Sequence, residues 1–146
     1  MTSSLGWFSW ALLSAFFAAL TAILAKLGVQ QINADLATLI RTAIIFMLLC
    51  LYVALTRQWS NPLQISGHSW LFLGLSGLAT GASWLCYFRA LQLGDVSQVA
   101  PIDKLSLVLV VIFACLFLGE RPSLREWFGI GLIASGVMVL ALKEQG

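Results

Sequence analysis

The chain alternates five long apolar stretches with short polar connectors. Each stretch is long enough to cross a hydrocarbon core of about 30 Å, which takes about 20 mainly apolar residues in a helix. None shows the charged face of an interfacial helix, and barrel strands would be only about 10 residues long with strict alternation. The pattern therefore predicts an all-α polytopic membrane protein with five transmembrane helices. These helices cover about residues 7–29, 36–55, 70–91, 98–118 and 125–142.

The connectors carry residues that fit helix ends. Asp35 stands just before the second stretch, where we predict that it caps the helix. Ser123 and Glu126 have the spacing of a capping box at the start of the fifth stretch. Every connector is short, and no linker or internal repeat is visible, so sequential helices should be antiparallel neighbours. We therefore expect residues 1–146 to form a single five-helix domain, without a cleaved signal peptide.

Composition agrees with a membrane location. Hydrophobic residues make up 60% of the 146 residues and charged residues 10%, whereas a soluble domain has about 25% charged residues. So few charges could not cover a surface in water. The lipid bilayer is therefore the expected surrounding, and the cell membrane is the expected location. The net charge is only +2 and no basic face is visible, which argues against a nucleic-acid partner.

The residue types that can perform catalysis or bind metals are scattered along the sequence. The three cysteines, Cys50, Cys86 and Cys115, lie within separate apolar stretches, which argues against a disulfide framework. The single histidine, His68, is predicted to lie in the loop before the third helix. No metal-ligand spacing, glycine-rich phosphate loop or Ser/His/Asp set occurs in the sequence. We therefore expect no enzyme activity, no metal and no cofactor.

Five charges lie inside the first four apolar stretches, at positions that the predicted hairpins bring to a similar depth. Arg89 lies seven residues before the turn near residue 96, and Asp103 lies seven residues after it. Lys26 and Arg41 lie at matching distances from the first turn. In a chain of five spans the first and third connectors emerge on the same side. These four residues and Lys104 are therefore predicted to form one polar layer near one membrane surface.

Each charge in this layer has two interpretations. Charged side chains within a membrane are costly and usually pair with one another or face a cavity. Lys26, Arg41 and Lys104 can also reach the headgroups with their long side chains. Asp103 is too short to do so. It is therefore predicted to form an ion pair with Arg89 or Lys104, to bind an ion or substrate, or to do both.

Two further features accompany the predicted layer. Trp84, Tyr87 and Phe88 share one face of the third helix, which is either an ordinary packing face or an aromatic wall for an organic substrate. Pro101 lies two residues before Asp103, where it weakens the helix. This proline is either a passive kink or a hinge that opens one end of a cavity.

Several short motifs occur along the chain in a set order: Ala-Lys-Leu-Gly at 25–28, Arg41, Tyr87-Phe-Arg-Ala-Leu-Gln-Leu-Gly94, Ser97-Gln-Val-Ala-Pro101, Leu118-Gly-Glu-Arg121 and Gly129–Gly136. In their order and spacing they resemble the EamA-type module of the drug/metabolite transporter superfamily. The resemblance covers nearly the whole chain. The Leu-Gly-Glu turn before a glycine-bearing last helix is its most specific part. Pro-Ile-Asp-Lys-Leu-Ser at 101–106 is similar to the short members with one module.

The resemblance implies a transporter, which we expect to export a small metabolite or drug-like molecule. The first four helices would line a central cavity. The region 18–23 carries no acid where four-helix multidrug relatives have their proton-binding glutamate. Asp103 is therefore the candidate residue for binding a coupling ion, and Pro101 is the candidate hinge. The predicted substrate-binding residues are Lys26, Arg41, Trp84, Tyr87, Arg89, Asp103 and Lys104.

Typical members of this family carry two such modules in inverted orientation, whereas this chain carries one. Alternating access is usually built from two inverted repeats around a midplane site. The charges that flank the helices give conflicting topology signals, and such a sequence can insert both ways. We therefore expect an antiparallel homodimer with dual topology; a parallel dimer and a heterodimer are the alternatives. A non-transporting accessory subunit and a flippase for lipid-linked precursors are the alternative functions.

Overall fold

The computed structural model describes residues 6–142, and within that range the chain contains helices and no strand. After Leu93 the chain passes from one compact unit into a second. The α-helices of the first unit are α1 (Trp7–Val29), α2 (Ala34–Leu55) and α3 (Gly67–Leu93). Those of the second are α4 (Val96–Asp103), α5 (Ser106–Phe113) and α6 (Leu124–Leu142).

In the first unit α3 packs against both α1 and α2. Buried side chains gather near the α1–α2 turn and the last turns of α3. Val29 and Leu91 are fully buried, with 0% of each side chain exposed. The other buried residues of this unit are Ala22, Ala34, Ala37, Thr38 and Phe88. The core therefore lies at one end of the three helices.

The start of α2 corrects one prediction. The side-chain oxygen of Asn33 accepts hydrogen bonds from the backbone N–H groups of Asp35, at 2.8 Å, and Leu36, at 3.3 Å. Asn33 is therefore the N-cap, and the helix begins at Ala34. The prediction that Asp35 caps this helix is wrong, because Asp35 already lies in the first turn. Its carboxylate is thereby left for another partner.

The third predicted span extends at both ends. It begins at Gly67 instead of residue 70 and ends at Leu93 instead of residue 91. The prediction that His68 lies in a loop is therefore wrong, because His68 lies in the first turn of α3. Before it, Pro62–Gln64 form a short 3₁₀ turn. The hydroxyl of Ser66 then accepts a hydrogen bond from the N–H of Ser69 at 3.2 Å, which satisfies a donor that the helix start leaves open.

The fourth predicted span is not one continuous helix. Between α4 and α5 the N–H groups of Lys104 and Leu105 bond to carbonyls three residues back, at 3.0 Å each, instead of four. Pro101 lies in the preceding turn and has no N–H to hold that turn. The segment ends in a π-helical turn, Ala114–Leu118, followed by Gly119 with φ +67°. The apolar pattern does not reveal such breaks, because it continues through them.

The predicted capping box at the start of α6 is confirmed. The backbone N–H and the hydroxyl of Ser123 donate to the Glu126 carboxylate, at 2.6 and 2.8 Å. The N–H of Glu126 donates back to the Ser123 hydroxyl at 3.4 Å. Within the second unit, α6 packs against α4 and α5.

The predicted all-α, five-span architecture is confirmed. Five segments are long and apolar enough to cross a membrane, and α4, α5 and the π-helical turn together make one of them. Large apolar side chains face outward along these segments; Phe16, Phe46 and Leu78 are 63%, 67% and 73% exposed. Such exposure is unfavourable in water and suits contact with lipid. The described chain is therefore that of a multi-pass membrane protein.

Candidate functional site

An open cavity of about 350 Å³ lies in the first unit, bordered by α1, α2 and α3. Thr21 and Arg41 are the polar side chains on its wall. The rest of the wall is apolar or consists of small residues. The other lining residues are Leu24, Ala25, Gly28, Ile32, Ala37, Ile40, Ile44, Ile45 and Phe88.

Small residues on α1 leave room for this cavity. Thr21, Ala25 and Gly28 follow one another at helical spacing, so they share one face of α1. Small residues on a membrane helix permit either close packing or open space. Here a Cβ atom added at Gly28 would meet no atom within 4 Å. This stripe therefore borders open space at Gly28.

Arg41 stands against two aromatic rings of α3. Its guanidinium carbon lies 4.6 Å from the centre of the Trp84 ring and 5.4 Å from that of Phe88. Trp84 and Phe88 are four residues apart, so they lie on the same face of α3. A cation over an aromatic ring is attracted to the electron-rich face. The contacts hold Arg41 at the cavity wall through an aromatic surface, without a carboxylate.

A group of polar contacts lies at the end of the same three helices, and we call it the hairpin cluster: Lys26, Asp35, Arg89 and Gln92. The guanidinium of Arg89 donates two hydrogen bonds to the Asp35 carboxylate, at 3.0 and 2.8 Å. This fork geometry matches a carboxylate with two parallel bonds. The two side chains remain 63% and 48% exposed, so the pair lies at the surface of the chain.

The other two members of the hairpin cluster bond to backbone carbonyls. The ammonium of Lys26 donates to the Leu91 carbonyl at 2.7 Å. The side-chain amide of Gln92 donates to the carbonyls of Val29, at 3.1 Å, and Ile32, at 2.7 Å. Leu91 and Val29 lie in the last turns of their helices, where carbonyls lack partners within the helix. The hairpin cluster therefore ties α1, α3 and the α1–α2 turn together.

The structure brings some predicted site residues of the first unit together and separates others. Arg41 lies on the cavity wall and contacts the ring of Trp84, which is not itself a lining residue, and Tyr87 is half-buried on α3. Lys26 and Arg89 belong to the hairpin cluster instead. The role of all five in substrate binding stays a prediction.

In the second unit Asp103 pairs with Lys104. The Lys104 ammonium lies 3.3 Å from the Asp103 carboxylate, and the side chains are 53% and 37% exposed. Of the two partners predicted for Asp103, the structure therefore contains Lys104, whereas Arg89 is bonded to Asp35. Pro101 lies inside α4, shortly before the break. The roles of Asp103 and Lys104 in substrate binding, of Asp103 in ion coupling and of Pro101 as a hinge stay predictions.

The second unit also contains a cavity of about 490 Å³ near the start of α6. Glu120, Arg121 and Glu126 are the charged residues on its wall. Glu126 is engaged by Ser123 in the helix cap, as described above. Within residues 6–142 no group of three His, Cys, Asp or Glu side chains is placed to hold a metal ion.

Sequence reasoning missed three residues of these contacts. Asp35 was assigned to the helix cap, and only the placement of Asn33 at that cap frees its carboxylate. Gln92 is uncharged and gave no signal, although a polar side chain next to a helix end is a common partner for open carbonyls. Phe88 was recognised in the aromatic stripe, but its contact with Arg41 depends on how α2 and α3 pack.

Comparison with known proteins gives relatives that are named as transporters or as a flippase subunit. The chain is 60% identical over 139 residues to the protein named Uncharacterized transporter in cobO 3'region from Sinorhizobium sp, covering 95% of this chain and 99% of that relative. It is 33% identical over 87 residues to the Probable 4-amino-4-deoxy-L-arabinose-phosphoundecaprenol flippase subunit ArnE of Salmonella enteritidis PT4, covering 58% of this chain and 78% of the relative.

A longer relative matches almost the whole chain. The Uncharacterized transporter YxxF of Bacillus subtilis is 25% identical over 138 residues, which is 94% of this chain and 43% of the relative. No solved structure matches. The model of the EamA-like transporter family matches residues 5–142, so the resemblance seen in the short motifs is confirmed over most of the sequence. The chain belongs to the EamA-like transporter family.

Proposed function

We propose that the protein exports a small metabolite or drug-like molecule across the cell membrane, and that the α1–α2–α3 cavity is part of its substrate site. The cavity is the observation that carries this proposal, because it combines an apolar wall with one guanidinium held by aromatic rings. Small-molecule sites commonly have this composition, with few polar groups on an apolar wall. Membership of a transporter family supports it.

Gly28 offers a direct test of the cavity. Gly28→Leu adds a side chain where a Cβ atom meets open space, so it should fill the cavity without clashing with the helix. Gly74→Leu is the matched control, because a Cβ atom there also meets open space and Gly74 is not on the cavity wall. A thermal-shift screen of metabolites against the purified protein identifies a ligand, since ligands stabilise the state they bind.

The proposal expects the ligand to stabilise the Gly74→Leu protein as it does the original chain, and to lose its effect in the Gly28→Leu protein. Flux of the same ligand into liposomes should follow this pattern. If Gly28→Leu folds and still binds the ligand with unchanged affinity, the substrate site lies elsewhere. If the ligand binds but purified protein in liposomes shows no flux, the accessory-subunit alternative replaces the transporter.

The seven predicted binding residues are not equivalent under this proposal. Arg41 lies on the cavity wall and is held there by the Trp84 ring, whereas Lys26 and Arg89 are engaged in the hairpin cluster. Alanine at Trp84 should therefore weaken ligand-induced stabilisation more than alanine at Arg89. Equal losses at both positions, in proteins that remain folded, would extend the site to the hairpin cluster, as the sequence predicted.

Coupling to protons is assigned to Asp103 as part of the proposal. Its carboxylate is paired with Lys104, and protonation would break that ion pair. Asp103→Asn should therefore reduce transport driven by a pH gradient more than it reduces expression. Glu120→Gln is the control, because this side chain is an exposed carboxylate at the turn after the π-helical segment. Normal transport by Asp103→Asn across a pH series would remove the coupling role.

Two copies of the chain in opposite orientations are the proposed working unit. The longer Bacillus relative matches this chain over only 43% of its own length, so it has further sequence that a second copy could replace. Two inverted repeats around one site are a common basis of alternating access. Closed two-fold dimers are also the commonest assemblies. A parallel dimer and a heterodimer are the competing outcomes.

Labelling decides the orientation. After replacement of Cys50, Cys86 and Cys115, one cysteine placed at the C-terminus can be labelled in intact cells with an impermeant reagent. Dual topology predicts that about half of the copies react before the membrane is opened. If all copies report one side and no oppositely oriented protein co-purifies, the antiparallel dimer is wrong.

A flippase for a lipid-linked precursor is the second candidate function. The name of the Salmonella relative favours it, because that protein is described as a probable flippase subunit for a phosphoundecaprenol-linked sugar. An apolar, open cavity also suits a lipid-like molecule. Competition separates the candidates: lipid-linked compounds should displace the bound ligand of a flippase, and water-soluble compounds should displace that of a metabolite exporter.

A further inference from the structure

Arg41 differs from the other basic residues within α1 to α3. Among the described residues that line the cavity, it alone carries a charge. Lys26 is bonded to the Leu91 carbonyl, and Arg89 is bonded to Asp35. The ion pairs within residues 6–142 join Arg89 to Asp35 and Lys104 to Asp103, so neither involves Arg41. The cavity therefore holds a positive charge without a carboxylate partner among the described residues.

The aromatic contacts leave the hydrogen-bonding edge of Arg41 open. Trp84 and Phe88 contact the guanidinium at 4.6 and 5.4 Å from their ring centres, and cation–π contacts do not consume N–H donors. A guanidinium has five N–H donors in its plane, in a fork that matches carboxylate and phosphate oxygens. Neither ion pair within residues 6–142 uses these donors, and Tyr87 interacts electrostatically with Arg41. Two rings thus hold the group while its donors remain available.

The surroundings strengthen attraction for an anion. Ile40, Ile44 and Ile45 of α2 and Leu24 of α1 make the wall around the charge apolar. Electrostatic attraction is stronger in such surroundings than in water, and an uncompensated charge there is costly. An oxyanion that bonds to Arg41 would offset this cost. A positively charged ligand would instead be repelled, and a neutral ligand would leave the guanidinium uncompensated.

We infer that the α1–α2–α3 cavity binds the carboxylate or phosphate group of a molecule with an apolar body, and that Arg41 is the residue that recognises it. This inference rests on the proposed function and adds the chemical class of the transported molecule. The apolar wall receives the body, and the hydroxyl of Thr21 is a second polar group on the same wall. A volume of about 350 Å³ is near the lower limit of small-molecule sites, so the body that fits is compact.

Three probes of one shape test the charge preference. Phenylacetate, phenylacetamide and phenethylammonium share the same apolar ring and differ in charge. Their affinities are measured by calorimetry on the purified full chain in zwitterionic nanodiscs, in a buffer without phosphate or carboxylate. Phenylacetate should bind about tenfold or more tightly than the amide, as expected for a charge-assisted hydrogen bond. Phenethylammonium should bind least.

Variants connect this preference to Arg41. Arg41→Gln should abolish the preference for phenylacetate over the amide, and Arg41→Lys should keep part of it, because lysine is a cation without the planar fork. Arg41→Met, with a long side chain that can still contact the aromatic rings, replaces the glutamine variant if that protein does not fold. Arg57→Gln is the control, since Arg57 is exposed and lies beyond the end of α2. It should bind all three probes as the original chain does.

Phosphate probes identify the source of the anion. Phenyl phosphate represents a water-soluble ligand, and phosphatidate added to the nanodiscs represents a lipid headgroup. If either probe binds in an Arg41-dependent manner, the inference holds. The probe with the higher affinity then identifies the source of the anion. The inference is wrong if the original chain shows no preference for anions, or if the preference persists in a folded protein that lacks Arg41.

Flux separates this inference from the proposed function. Saturable flux of a neutral or cationic compound, without measurable anion affinity, would leave the transporter proposal standing and reject the inference. Arg41-dependent anion binding without flux in liposomes would support the inference and reject transport by this chain alone.

Discussion

The cavity and the hairpin cluster lie on the same three helices, yet their charged side chains are held by different kinds of contact. In the hairpin cluster the Arg89 guanidinium has two bonds to a carboxylate, and the Lys26 ammonium bonds to a carbonyl at 2.7 Å. In the cavity the Arg41 guanidinium contacts two aromatic rings. The first arrangement uses hydrogen bonds to join helices, whereas the second leaves hydrogen-bond donors available.

The difference shows how the sequence can give one residue type two roles. A charge whose bonds are used inside the protein stabilises its local structure, and removing one partner leaves the other unsatisfied. A charge held by aromatic rings is positioned without that commitment. We therefore expect substitution of the part-buried Lys26 in the hairpin cluster to affect stability, and substitutions at Arg41 to affect ligand binding and transport.

The largest effect is expected when the two arginines are compared in transport. Arg41→Gln should lower the flux of phenyl phosphate into liposomes by about tenfold or more, because the charge-assisted bond to the anion is lost. Arg89→Gln should change the flux per folded protein far less, since its guanidinium is bonded to Asp35. Phenyl phosphate is used because it stays charged at neutral pH and does not cross the lipid unaided.

The comparison of the two arginines can fail in either direction. If Arg89→Gln lowers flux as much as Arg41→Gln while its melting temperature is unchanged, the hairpin cluster also contacts the substrate, as the sequence predicted. If neither substitution changes flux, the cavity is outside the transport path.

The next effect concerns stability at Lys26. Lys26→Met removes the bond to the Leu91 carbonyl, and it should lower the free energy of unfolding by about 1.5–3 kcal/mol, the range for a hydrogen bond to a charged group. Lys104→Met is the control, because this ammonium is 53% exposed and pairs with its chain neighbour. Its effect should be smaller. Unfolding of detergent-solubilised protein by a denaturing surfactant measures both changes.

An unchanged stability in Lys26→Met would show that this contact does not join α1 and α3. A loss of flux at normal stability would instead place Lys26 in the substrate path, and the contrast between the cavity and the hairpin cluster would disappear.

The fold could largely be predicted from the sequence because membrane helices follow simple physical requirements. The predicted bounds of the first helix, residues 7–29, are those of α1. The last helix begins one residue before the predicted position, and its capping box is present. Length and apolar composition decide these features locally. The apolar pattern does not show the break after Asp103, since apolar residues continue on both sides of it, but the weakening predicted from Pro101 falls in the turn before it.

The candidate site was predicted only in part. Lys26, Arg41 and Arg89 lie within helices α1, α2 and α3, as their positions in the apolar stretches predict, but their partners could not be predicted. A partner depends on which helix faces point at each other: Arg89 bonds to Asp35, and Arg41 contacts Trp84. Depth along a helix is visible in a sequence, whereas rotation about its axis is much less so when apolar residues surround the whole helix.

A smaller effect is expected at the cap of α2, which sets the position of Asp35. Asn33→Ala removes an acceptor for two backbone N–H groups and should lower the free energy of unfolding by about 1 kcal/mol. Asn61→Ala is the matched control, because Asn61 accepts one N–H bond, at 3.0 Å, at the start of a short 3₁₀ turn. If Asn61→Ala lowers the free energy of unfolding more than Asn33→Ala does, the start of α2 is not stabilised by its cap.

The smallest effect is expected for the bond between Asp35 and Arg89. Both side chains are substantially exposed, and exposed ion pairs contribute little to stability even when their geometry is good. A double-mutant cycle with Asp35→Asn and Arg89→Gln measures the coupling free energy. This coupling should be smaller than the effect of Asn33→Ala, and it should fall further as salt concentration rises.

The charge-reversed protein, Asp35→Arg with Arg89→Asp, is the control for this cycle, since it keeps an opposite pair at the same place. It should be more stable than either single reversal. A large coupling that is insensitive to salt would show that the pair is shielded from water in the assembled protein, by lipid or by a second chain. Removing one partner would then leave an uncompensated buried charge, which is strongly destabilising. The hairpin cluster would in that case be part of a covered surface. Labelling of a cysteine at position 35, in crosslinked dimer and in uncrosslinked protein, would show whether a second chain or lipid covers it.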